Sequence, residues 1–137
     1  GEGAKLNEIR LRVENKRDLT GAVLATGFPF KQTKYMPMQF RMMESLIQDV
    51  ADFRRAGSAA LDLCYVAAGR VDGYFEYGIK AWDVAAGDLI VREAGGIVTD
   101  YNAGHSYLKA GHIVAGAPRV LKEILSKIQP CLVDDLK

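Results

Sequence analysis

Cysteine is scarce. Cys64 and Cys131 are the only two in 137 residues, and no CxxC spacing joins them to anything. That excludes a disulfide framework and a cysteine-built zinc site, and it fits a reducing, cytoplasmic setting. Long apolar runs are missing as well: none approaches the roughly 18–20 residues of a membrane helix. The opening stretch "GEGAKLNEIRLRVENKRDL" has no hydrophobic segment of the signal-peptide kind, so no membrane partner is expected. Neither charge dominates, because 18 Lys+Arg against 17 Asp+Glu leave a net charge of +1. So balanced a chain carries no global electrostatic case for nucleic acid. GxSxG, HExxH and Walker-type loops are absent, which removes three common catalytic classes. His105 and His112 have no His or Cys partner nearby in sequence and read as solvent-facing loop residues rather than metal ligands.

What remains is ordinary globular material with an excess of glycine: 49% hydrophobic residues and 14 glycines, clustered from Gly57 to Gly116. Charge and apolar residues alternate along Glu8–Glu14, the period of a half-buried strand, with Ile9, Leu11 and Val13 inward. Residues 1–20 thus read as an edge ribbon belonging to a domain before this one, and 21–137 as a C-terminal α/β domain. "GAVLATGFPF" (Gly21–Phe30) is a short strand apolar on both faces, as in a sheet covered by helices on both sides. Met36–Val50 has helical spacing, predicting Phe40, Met43, Leu46, Ile47 and Val50 on the core face. Ser58 is a good N-cap for a helix over 59–68, closed by Gly69 at C′. A strand over Val71–Glu76, a helix from Trp82 or Asp83 to Ala94, strands at Ile97–Tyr101 and Gly111–Gly116, and a last helix with Pro118 at N1 complete the series. Such alternation predicts an α/β fold with a mostly parallel sheet and helices on both faces.

Open α/β sheets bind ligands beyond the carboxyl ends of their strands. Two places there stand out. At Gly57, Ser58 and Ala59 a helix begins with small side chains, which leaves its N–H groups uncovered for an anion or hydroxyls; the plain structural reading is an N-cap. Further on, Asp83 stands in the first turn of the next helix, and Glu76 ends the strand before it. By itself Asp83 would be a cap. Together the two carboxylates suit a hard cation such as Mg²⁺ and the hydroxyls of a polyol, although two are too few to close a metal site. Trp82 reads as rigid apolar support beside them.

These residues carry a resemblance. "WDVAAGDLIVREAGGIVTD" (Trp82–Asp100) closely resembles the C-terminal signature of the inositol monophosphatase family, and "GSAALDLCYVAAGRVDGYFE" (Gly57–Glu76) resembles the stretch before it. "ATGFPF" and "HIVAG" extend the likeness over nearly the whole chain. The resemblance implies a C-terminal sugar-phosphatase-type domain and Mg²⁺-dependent hydrolysis of a polyol phosphate such as inositol monophosphate. It implies Asp83 as the Mg²⁺ ligand close to substrate, Glu76 as a partner of inositol hydroxyls, and Gly57, Ser58 and Ala59 as backbone contacts to the sugar. It also implies a homodimer. One departure is large: the family's D-P-[IL]-D-G-T segment, which supplies further metal ligands and a water-activating Thr, is absent. The chain therefore reads as a C-terminal half whose N-terminal half is missing. A non-catalytic protein-interaction module, or a related sugar or nucleotide phosphatase, are the alternatives.

Overall fold

The computed structural model describes residues 1–137. Five strands form the main sheet: β3 (Val23–Thr26), β4 (Asp52–Arg54), β5 (Gly73–Tyr77), β6 (Ile97–Thr99) and β7 (His112–Gly116), in the order β4-β3-β5-β7-β6. The chain steps from β3 outward to β4 through α1 (Met36–Ile47), then back across β3 to β5 through α2 (Ala59–Ala67). Crossovers keep one hand, so reversing direction puts the two helices on opposite faces. One core joins α1 and α5 (Pro118–Ile128) to Leu24, Phe75 and Val114. The other joins α2, α3 (Ala81–Glu93) and the short α4 (Tyr107–Ala110) to Ala25, Tyr74 and Ile113. The α/β class and the helices on both faces are as predicted.

The mostly parallel sheet needs correction. β3 pairs in parallel with β4 and β5, but β7 runs antiparallel to both β5 and β6. The last strand inserts between two strands already laid in one direction, so half the pairings are antiparallel. A run of alternating elements does not reveal such an insertion.

Two other expectations fail locally. On α1 the buried residues are Met38, Gln39, Met42 and Leu46, while Phe40 and Ile47 are exposed. The cause is Gln39, whose Nε2 donates to Thr26 Oγ1 at 3.0 Å and draws a polar side chain into the core. Hydrophobic spacing cannot count that residue, and the inward face is rotated accordingly. The Glu8–Glu14 strand is instead a hairpin, β1 (Lys5–Leu6) against β2 (Ile9–Arg10), turned at Asn7 and Glu8 with φ of 51° and 71°. Positive φ at both turn residues is the primed geometry that suits strand twist. The turn leaves Ile9 71% exposed. Leu11 and Val13 still pack on the α2/α3 core, and the Val13 N–H donates to the Ala94 carbonyl at 3.0 Å. Leu19, inside the first 20 residues, is fully buried in the α1/α5 core.

Helices α2 and α3 pack closely because Gly87 has no side chain: a Cβ there would lie 2.6 Å from Leu63 Cδ1. Gly87→Val is therefore expected to cost about 3 kcal/mol of stability through overpacking, read as a shifted denaturant midpoint. A change below 1 kcal/mol would show that the helices separate freely.

Candidate active site

The carboxyl ends of β3 and β5 and the N-termini of α2 and α3 meet at one end of the sheet. Gly57, Ser58 and Ala59 from the α2 entry, Glu76 from β5, and Trp82 and Asp83 from α3 line one cleft of about 370 Å³. The structure brings together every residue singled out as a site candidate. A larger cleft of about 660 Å³ adjoins it through Glu76, Trp82 and Asp83, with Lys31, Lys80 and Lys109 among its walls.

Local structure explains each position. Ser58 caps α2, its Oγ accepting from the Leu61 N–H at 3.2 Å. Gly57 has φ of +83°, the left-handed conformation that favours glycine, and a Cβ there would meet nothing. Asp83 is exposed and caps α3: Oδ2 accepts from the Lys80 N–H at 3.0 Å. No such bond engages Oδ1. The expected apolar support from Trp82 does not occur, since its side chain is 80% exposed at the cleft mouth.

Glu76 is held differently. Tyr74 and Glu76 project from the same face of β5, two residues apart, and the Tyr74 hydroxyl donates to Glu76 Oε1 at 2.6 Å. The carboxyl lies flat against Gly27, where a Cβ would come within 2.5 Å of it. Burial pushes the Glu76 pKa up; the Tyr74 hydrogen bond and the Arg55 guanidinium pull it back, and Asp83 adds to the rise. One turn into α2, Asp62 is 2% exposed. Burial and the Glu76 charge raise its pKa to about 7. Tyr74 and Gly27 thus hold Glu76 from behind the cleft wall, and Asp62 is coupled to it by charge, although sequence reasoning passed over all three. The signal was there in spacing: Tyr74 two before Glu76 on a strand, Asp62 four after Ser58 on a helix.

His112 reverses its expectation. It is buried, stacked on Tyr101 with centroids 4.6 Å apart, and its Nδ1 accepts from the Tyr101 N–H at 2.9 Å. Burial lowers its pKa, against the opposing pull of Asp100. His105 is exposed, and both cysteines are free and half-buried. No helix is long and apolar enough to cross a membrane.

A three-layer α/β sandwich with two carboxylates at a strand-end crevice has the architecture of the open-sheet class. The sequence profile of the inositol monophosphatase family matches residues 1–133, and the chain belongs to that family. It is 78% identical over 137 residues to the Nus factor SuhB of Pasteurella multocida, covering 100% of this chain and 51% of that protein. Among solved structures, the extragenic suppressor protein suhB of Bartonella henselae superposes with a TM-score of 0.88 at 39% identity, over 93% of this chain and 48% of that one. Inositol monophosphatase from Anabaena does so with a TM-score of 0.88 at 36% identity, over 95% and 54%. The chain spans about half the length of the curated relatives it matches.

Proposed function

We propose that this chain supplies the alcohol-recognising half of a Mg²⁺-dependent phosphomonoesterase acting on inositol monophosphate. The observation that carries the reading is the convergence of Glu76, Asp83 and the Gly57–Ala59 turn on one cleft. Family membership and the likeness to the Anabaena inositol monophosphatase support it. In this reading the uncovered start of α2 holds sugar oxygens with its backbone N–H groups. Glu76 accepts from substrate hydroxyls. Asp83 offers Oδ1 to a cation while Oδ2 keeps the helix capped.

The donor set fits Mg²⁺ only in part. No group of three or more His, Cys, Asp or Glu side chains in the chain could hold a metal ion, and Mg²⁺ demands several oxygens in near-octahedral array. Asp83 is thus one ligand, and the others come from residues outside this chain. When bound, such an ion supplies charge neutralisation of the phosphate and departing alkoxide and an activated water.

The second reading, a protein-interaction module, draws on the name Nus factor carried by the relative from Pasteurella multocida and on the exposed Phe30, Phe40 and Ile47. One assay separates the two. The 137-residue chain alone is expected to release no phosphate from inositol 1-phosphate with Mg²⁺. Joined to the N-terminal half of that relative, it is expected to turn the substrate over. Turnover by the chain alone would overturn the half-site reading, and inactivity of the joined protein would favour the interaction module.

A further inference from the structure

We infer that Tyr74 is a specificity-determining positioning residue: by engaging one oxygen of Glu76 it presents the other, in one orientation, to a single hydroxyl of the substrate alcohol. The inference rests on the phosphomonoesterase reading above. A free carboxylate has two equivalent oxygens and a rotating terminal torsion, so it accepts hydroxyls from many directions. Glu76 has lost that freedom. Oε1 is taken by the Tyr74 hydroxyl at 2.6 Å, a short charge-assisted bond. Gly27 lets the carboxyl lie directly against the backbone, because a Cβ there would come within 2.5 Å of Oε2. Tyr74 itself cannot move: it is fully buried in the α2/α3 core among Leu63, Val66 and Ile113.

The surrounding charges favour the same arrangement. Asp62 reaches the pair from α2, Asp83 from α3, and Arg55 from the segment before α2; the first two disfavour a second negative charge and the third favours it. Burial and the Glu76 charge raise Asp62 to about 7, while the Tyr74 hydrogen bond and the Arg55 guanidinium oppose the rise at Glu76. Glu76 then works as an acceptor, with Tyr74 as its fixed donor. The ligand this selects is an alcohol phosphate whose ring hydroxyl stands beside the ester, rather than a plain alkyl chain.

Tyr74→Phe removes the hydroxyl and keeps the ring. The test uses the chain joined to the N-terminal half of its Pasteurella multocida relative. The preference for inositol 1-phosphate over a straight-chain alkyl phosphate, as the ratio of kcat/KM values, is expected to fall about tenfold. The loss should appear mainly in KM for the inositol ester. In a Glu76→Ala background, adding Tyr74→Phe should produce no further loss. A second readout needs no turnover: with ¹³C-labelled glutamate and no metal, the Glu76 carboxyl should titrate at higher pH in Tyr74→Phe, because a bond that favours its charged form is gone. Glu76→Gln identifies the resonance. An unmoved titration, or a moved titration with the substrate preference intact, overturns the inference. An inactive parent overturns the phosphatase reading instead, and the titration still judges the Tyr74–Glu76 contact.

Discussion

Asp83→Asn, made in the joined two-half protein, is expected to lower kcat for inositol 1-phosphate about a thousand-fold while the protein stays folded. A thousand-fold is roughly 4 kcal/mol of barrier, the scale on which a bound cation stabilises charge developing in the transition state. The substitution removes one negative charge and replaces an oxygen by an amide nitrogen, which cannot ligate a hard cation. The fold should tolerate it because the role of Oδ2 in holding the Lys80 N–H needs only an acceptor, and the Asn carbonyl supplies one. The side chain is exposed, so no packing is lost. Thermal denaturation should therefore move little while turnover collapses. Near-normal Mg²⁺-dependent turnover would remove Asp83 from the metal and leave it a helix cap.

The second large effect concerns stability. Asp62 is buried, and its pKa stands at about 7 against an ordinary 3.8. An acid with a raised folded pKa binds its proton more tightly when folded. Its contribution to stability is therefore complete below 3.8 and is lost as pH rises through 7. The interval between the two values corresponds to roughly 4 kcal/mol at most, at about 1.36 kcal/mol per pH unit. Asp62→Asn keeps the size and has no proton to lose. Wild type and variant are expected to be close in stability near pH 4 and to diverge as pH rises, the variant being the more stable by several kcal/mol at pH 8. Urea denaturation at the two pH values measures this. Parallel pH profiles would mean that Asp62 ionises in the fold at no cost.

Much of this site could be read from the residues themselves. Ser58 with Gly69 bounds α2, and Gly95 with φ of +90° ends α3, so the start of α2 and the ends of both helices follow from capping chemistry alone. The strand Val71–Glu76 and the loop after it then carry Glu76 and Asp83 to one end of the sheet. Their joint cleft with Gly57–Ala59 follows once β3, β4 and β5 are parallel. Other features depend on partners distant in sequence. Gln39 is buried because Thr26 accepts its amide, and His112 because Tyr101 covers it; neither polar residue announces this in its own neighbourhood. Trp82 stands out to solvent although its neighbours are small and its chemistry apolar. The grip of Tyr74 on Glu76 is legible in strand spacing, since residues two apart share a face of β5.

The insertion of β7 has a consequence for how the chain is made. β6 hydrogen-bonds to no strand but β7, and β7 alone connects it to β5. A ribosome that has released the chain only as far as Ala110 has delivered both site carboxylates and four of the five strands, yet β6 has nothing to pair with and β5 keeps an open edge. Closing the sheet waits for His112–Gly116, and covering its far face waits for α5. Completion of the sheet thus depends on contacts between sequence-distant strands, which are the slow ones to form. Until then, the unpaired edge of β5 is open to pairing with another strand.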